Sequence, residues 1–555
     1  MQVKRLVVLV VYVALFGMAC QVDGGETAVS APTLQIQTTP LSIPQNCSGQ
    51  FQAHQLDHIT TPQTEPVDMY DSNGAGLAVN DLDNDSDMDI VLANLRDNNN
   101  IFWNEGNLNF RREELTHGSS RAVAIVDVDA DSWLDIVFTT RVGKTLIYWH
   151  NLGAGRFEQL TLPGVDQYAY SMAWGDVDRD GDLDLVTGSY DTALDKELRD
   201  AFMFGAGAGV FYYENQGGTF VREQLAEKSQ ALALQLMDVD GDGRSDILVG
   251  NDFGTVPDQY WLQTADGWQP SEPFANTTQN TMSFDVGDVD NNGRLDLFAA
   301  DMHPYSDDPE TMAAWQPVME GMMEPLPGDR QVMANVLHMR DATGSFSNEA
   351  EDWGVAATGW SWSSKFGDLD QDGFLDLYSV NGMMTASTFS HLPGFKLVEE
   401  NQVMRNGGNG RFQPQPNWNL NQTAGGRGMS MADLDNDGDL DIIINNLLSP
   451  ATILENQLCQ GNSLLVDLRW PDTDNPLAIG ATVTLQTSVG FHMRDVRINS
   501  GYLSGDPNQL HFGFPAGSQP FGLIITWPDG TISHIFDIQS NQKLIITRGE
   551  LGIRN

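Results

Sequence analysis

Basic residues are scarce in this chain: 29 Lys and Arg stand against 76 Asp and Glu among 555 residues, a formal net charge of −47. Nucleic-acid binding needs a basic footprint, so that class is excluded. Long apolar runs are nearly missing as well. Residues 6–18 form one that is too short for a comfortable membrane span, and no other segment qualifies. With Lys4-Arg5 before it and small residues after it, this run reads as a secretory signal peptide over residues 1–20. Cysteine is limited to Cys20, Cys47 and Cys459, with no CxxC pair. Cys20 follows Gly17-Met18-Ala19 and is a candidate lipid-acylation site, although Leu is more usual at the third position before such a cysteine. Residues 21–50, rich in Thr, Pro, Ser and Gln, read as a flexible tether. No HExxH, GxSxG or Walker A sequence occurs, and the ten His are scattered. No catalytic couple stands out.

What the chain does have is a repeat, Asp-x-Asp-x-Asp/Asn-Gly-x-x-Asp, written seven times. Positions 1, 3, 5 and 9 are Asp81/Asp83/Asp85/Asp89, Asp127/Asp129/Asp131/Asp135, Asp176/Asp178/Asp180/Asp184 and Asp238/Asp240/Asp242/Asp246 in the first four copies. In the last three they are Asp288/Asp290/Asn292/Asp296, Asp368/Asp370/Asp372/Asp376 and Asp433/Asp435/Asp437/Asp441. Alternate oxygens at 1, 3 and 5 of a tight loop converge on one point, and a residue at 6 that accepts positive φ turns the chain around it. Position 6 is Gly in five copies and Ser in two, Ser86 and Ser132. A carboxylate at 9 completes an oxygen cage suited to Ca²⁺. Without a cation, two carboxylates about 5 Å apart repel by roughly 3 kcal/mol at an effective dielectric near 20. The expectation is up to seven structural Ca²⁺ ions. The weaker alternative is a set of solvated acidic turns.

Strand-like runs flank every loop, as in Leu77-Ala78-Val79 before the first and Ile90-Val91-Leu92 after it. A second periodic element follows. Phe102-Trp103-Asn104 leads through a Gly-containing turn to Phe110 and Leu115, and Tyr213 and Asn215 lead likewise to Phe220 and Leu225. Each unit thus reads as four short strands. Successive loops begin 46, 49, 62, 50, 80 and 65 residues apart, and insertions at roughly 302–335 and 383–400 account for the two longest intervals. An all-β, seven-bladed β-propeller over residues 51–459 is expected.

The seventh unit has a third strand at Ile453 to Asn456 but no following Phe-x₄-Leu. Phe51 and Leu56 carry that spacing at the other end of the chain, so the N-terminal segment is expected to complete the last blade and remove an exposed edge. Cys47 and Cys459 then fall where the missing turn belongs, which predicts a disulfide; the alternative is two unrelated thiols. Residues 460–550 lack acidic loops and alternate strand-like segments with turns such as Pro528-Asp529-Gly530, as a small all-β domain does.

The acidic units resemble the FG-GAP/VCBS repeats of integrin-α-like propellers, where these positions ligate Ca²⁺. The tail resembles the ASPIC/UnbV domain of cartilage acidic protein and its bacterial relatives, through Ile479-Gly480-Ala481, Gly501-Tyr502-Leu503-Ser504, Leu510-His511-Phe512-Gly513 and Trp527-Pro528-Asp529-Gly530. Departures from the repeat are the serines at position 6, Asn292 and Trp133. The resemblance implies an exported, Ca²⁺-stabilised, non-enzymatic scaffold for adhesion or binding of an extracellular protein or glycan. The membrane would be met only through a lipid anchor. The alternative is an extracellular enzyme acting on polysaccharide or another polymer at the propeller face. A Met-rich stretch (Met302, His303, Met312, Met319, Met322, Met323, Met333, then His338 and Met339) suits either Cu(I) or an adaptable apolar cover.

Overall fold

In all seven units the acidic loop joins two antiparallel strands, and its last Asp pairs with the residue just before the loop. The register pairs are Asn80 with Asp89, Val126 with Asp135 and Gly175 with Asp184. Met237 with Asp246, Gly287 with Asp296, Gly367 with Asp376 and Ala432 with Asp441 repeat the geometry. This is a computed structural model, and it describes residues 32–140, 145–193, 209–252, 256–321 and 329–549. The expected signal peptide, Cys20, Met322 and Met323 lie outside the described residues.

The chain is all-β and propeller-like. Its second unit is a sheet of Ser120–Val126, Asp135–Thr140, Ile147–Asn151 and Phe157–Leu160 in chain order. The third runs Ser171–Gly175, Asp184–Gly188, Val210–Asn215 and Phe220–Ala226. First and second strands are apolar on both faces and wholly buried, whereas the fourth is largely exposed. That gradient follows from sheets packed face to face, where inner strands have neighbours on both sides. First strands of consecutive units lie side by side, and Leu77–Asn80 touches both Ser120–Val126 and Gly426–Ala432.

The seventh unit draws on both ends of the repeat region. Phe51–Ile59 pairs antiparallel with Pro450–Asn456, Phe51 opposite Asn456. Cys47 is bonded to Cys459 beside that pair, with Cα atoms 5.6 Å apart.

Part of the expected tether is structured. Leu34–Pro40 is an edge strand antiparallel to Gln542–Arg548 in the C-terminal domain. Its side chains are mostly exposed, so backbone pairing does most to order it; apolar alternation is confined to Leu34 and Ile36, of which Leu34 packs on the core. The C-terminal domain consists of two four-stranded sheets, one of which includes this strand.

That domain is not self-contained. Its hairpin Asn499–Ser500 and Ser504–Gly505 joins the sheet of the first unit, Gly505 running parallel to Ala78. At the tip, Gly501 N–H donates to Phe284 O at 2.7 Å, and Val123 N–H donates to Leu503 O at 3.2 Å. The buried Tyr502 hydroxyl reaches Tyr170 Oη and Asn73 O, both at 3.0 Å, and its ring lies 5.0 Å from that of Trp362. With Met429 N–H donating to Ser504 Oγ at 3.0 Å, the hairpin touches the first, second, third, fifth, sixth and seventh units.

The two insertions meet each other. The first forms a helix, Pro309–Gly321, whose buried Trp315 donates Nε1–H to Glu399 in the second at 2.9 Å. Among the described residues of the Met-rich stretch, Met302 and Met319 belong to one apolar cluster and Met339 to another, while His338 stacks on Phe274 at 4.1 Å, as parts of an apolar cover do.

Candidate metal centres

Each acidic loop is wound by its own position-1 carboxylate. Asp81 accepts from the N–H groups of Asp85 and Ser86, at 3.1 and 2.9 Å. Asp127, Asp288, Asp368 and Asp433 accept from positions 5 and 6 in the same way. Asp176 and Asp238 hold the N–H of Gly181 and Gly243. The turn needs positive φ at position 6, and Ser86 and Ser132 adopt it at 81° and 73° where the other loops have Gly. Position 4 is left-handed too, from Asn84 at 60° to Asn436 at 59°, a requirement not read from the sequence.

The position-9 carboxylate ties three strands together. One oxygen of Asp89 accepts from Leu82 N–H at 3.0 Å, the other from Asn104 N–H on the third strand at 2.8 Å. The same pair of bonds recurs at Asp135, Asp184, Asp246, Asp296, Asp376 and Asp441. Burial pushes Asp89, Asp184 and Asp296 up to about 8, against the pull of these backbone donors. Burial likewise raises Asp127 to about 7 and Asp81 and Asp176 to about 6. Neighbouring carboxylates add to the push. Such a site favours whatever supplies positive charge.

The oxygens converge. Ligand atoms of Asp81, Asp83 and Asp85 lie within 4.8 Å of one another, as do those of Asp127, Asp129 and Asp131, of Asp176, Asp178 and Asp180, and of Asp238, Asp240 and Asp246. His150 joins Asp129 and Asp135 in a further group, a ligand type not anticipated for these loops. Oδ1 of Asp83, of Asn292 and of Asp370 is buried without a hydrogen-bond partner. An orphaned buried oxygen is costly, so those of Asp83 and Asn292 fit a hard divalent cation with oxygen ligands, of which Ca²⁺ is the natural case.

Position 3 is exposed to solvent in the second to fifth loops, at Asp129, Asp178, Asp240 and Asp290, and buried in the sixth, at Asp370. In the fifth, Asp290 Oδ1 accepts the N–H of Asn292 at 3.1 Å, a donor that Asp288 shares at 2.8 Å. In the sixth, Arg405 binds Asp370 and Asp372, both at 2.5 Å.

Two further residue sets were missed by sequence reasoning. In four loops the position-4 side chain stitches the loop to the next: Asn84 to Ser132 O, Asn291 to Gly373 O, Gln371 to Gly438 O and Asn436 to Asp87. Asn of the third strand reaches the preceding unit, with Nδ2 of Asn104, Asn151, Asn406 and Asn456 donating to Leu434, Leu82, Val289 and Leu369 O. In the fifth unit Arg340 replaces that Asn and donates to Asp238 and Val239 O. The recurring Asn was visible in the sequence, but its partner in another unit was not.

The C-terminal domain covers this end of the units. His492 Nδ1 lies 2.9 Å from Gly373 O, His511 Nε2 3.0 Å from Gly438 O, and Lys543 donates to Ser86 O at 3.1 Å.

A family model described as an FG-GAP-like repeat matches residues 81–138, 127–187, 238–299 and 398–444, and one described as ASPIC and UnbV matches 470–552. No curated protein matches. Among solved structures, an Agrocybe aegerita lectin recognising non-reducing terminal N-acetylglucosamine is 14% identical, with 68% of this chain and 92% of that chain covered at a TM-score of 0.39. A Bacillus licheniformis rhamnogalacturonan lyase is 14% identical over 74% of this chain and 76% of its own, at 0.37. The V. cholerae biofilm matrix protein Bap1 is 11% identical over 92% and 64%, at 0.29.

Proposed function

Because this chain carries FG-GAP-like repeats and a C-terminal ASPIC and UnbV domain, we propose that it is an exported, Ca²⁺-stabilised binding scaffold built on a closed seven-bladed propeller. The observation that carries the calcium reading is the pair of buried, unpartnered oxygens of Asp83 and Asn292 at ligand positions of two loops. Side chains at positions 1, 3, 5 and 9 would hold the ion, which supplies the charge that offsets their mutual repulsion. Closure is supported by the sheet that unites Phe51–Ile59 with Pro450–Asn456 and by the Cys47–Cys459 bond, which also favours an oxidising compartment.

The partner is an extracellular protein or glycan. An enzyme working from the centre of the propeller is the less favoured reading, because the hairpin bearing Tyr502 lies among the inner strands there. Seven bound ions would still leave a net charge of about −33, which keeps anionic polymers such as nucleic acids away.

At tenfold over Kd each ion contributes about 1.4 kcal/mol, so seven independent sites contribute about 10 kcal/mol. Chelator is therefore expected to lower the melting temperature steeply, with recovery on adding millimolar Ca²⁺. Identical melting curves with and without chelator would remove the calcium reading.

A further inference from the structure

The residue just before the recurring Asn or its replacement on the third strand is Trp103, His150, Glu214, Leu262, Met339, Arg405 and Glu455 across the seven units. His150 comes together with Asp129 and Asp135 of its own loop, and Arg405 pairs with Asp370 and Asp372 of its own. The third and seventh units carry Glu214 and Glu455 there, and Glu455 meets His54 at 2.6 Å. The acidic loops of these two units also have an Asp at position 7, Asp182 and Asp439.

The sixth loop is opposite in character. Arg405 Nε and Nη2 grip Asp370 Oδ2 and Asp372 Oδ2, each at 2.5 Å, so one planar fork engages the carboxylates of both positions 3 and 5. The Asp370 side chain is 1% exposed, whereas Arg405 and Asp372 are partly exposed, so the contact is shielded from water on the Asp370 side. Arg244 in the fourth loop is a weaker case, touching only Asp242 and leaving Asp238, Asp240 and Asp246 convergent.

We propose that the sixth loop is self-neutralised: Arg405 stands where its sister loops hold a divalent cation, and the chain binds one ion fewer than it has acidic loops. This rests on the calcium reading above.

Native mass spectrometry of the full mature protein, titrated with Ca²⁺, counts the ions directly. Arg405→Met is expected to take up one more ion at saturation than the wild type. Asp372→Asn in the otherwise unchanged protein is expected to leave the count as it is, whereas Asp437→Asn in the seventh loop removes one. The Asn variants give an answer even if Arg405→Met fails to fold. Loss of one ion in Asp372→Asn, or equal counts for Arg405→Met and wild type, would overturn the assignment of Arg405 alone. Uptake of no ion by any variant would overturn it together with the calcium reading.

Discussion

Replacing Tyr502 with alanine tests how firmly the C-terminal domain is keyed into the propeller-like body. The ring is fully buried, and its hydroxyl joins Tyr170 and Asn73 at 3.0 Å. Truncating a buried aromatic costs about 3–5 kcal/mol, including the cavity it leaves. At roughly 2.1 cal/mol/K per residue, cooperative unfolding of about 500 residues carries an entropy near 1 kcal/mol/K, so 4 kcal/mol lowers the midpoint by about 4 °C. If the C-terminal domain of about 90 residues melted alone, the same loss would move its midpoint by about 20 °C. Gly501, Leu503, His492, His511 and Lys543 still bridge the two parts in the variant. The expected calorimetric trace is thus a single transition shifted down by about 4 °C. An unshifted midpoint, or a separate transition some 20 °C lower, would refute the reasoning.

Opening the Cys47–Cys459 bond, which spans 412 residues, is expected to lower stability by about 2–5 kcal/mol, read as a reductant-dependent shift of the urea midpoint that Cys459→Ser abolishes. Asn151→Ala strands the carbonyls of Leu82 and Leu134, each now bonded at 2.9 Å; a loss of about 1–3 kcal/mol and faster amide exchange in the first two units are expected. Glu399 is raised to about 7 by burial, so the folded protein holds its proton more tightly than the unfolded chain does. Its contribution is largest below about pH 4.5 and falls as pH rises to 7. Over that window wild type should lose roughly 3 kcal/mol relative to Glu399→Gln, measured by denaturant titration at several pH values.

The acidic loops were legible because their chemistry is local: oxygens and a tight turn must fall within nine residues. How far each ligand is enclosed was not, since the exposure of Asp290 and the burial of Asp370 depend on what packs over each loop. The strand donated by Phe51–Ile59 was legible as well, since Phe51 and Leu56 keep a spacing the seventh unit lacks. Long-range partners were not. Nothing around Gly501-Tyr502-Leu503-Ser504 announces that a loop of one domain will be buried in another. Leu34–Pro40 was read as linker because a strand paired along one edge and mostly exposed on both faces needs little apolar alternation. The position-4 amides were present in four loops, but a hydrogen bond to the next unit leaves no mark on spacing within a repeat.

The pairing of Leu34–Pro40 with Gln542–Arg548 has a consequence for biosynthesis. Leu34–Pro40 leaves the ribosome long before the strand it pairs with. Co-translational assembly can therefore begin with the middle repeats, while this stretch stays unpaired until Gln542–Arg548 has been made. A chain stalled short of residue 542 would leave that stretch, and one rim of the C-terminal sheet, open to chaperones and proteases.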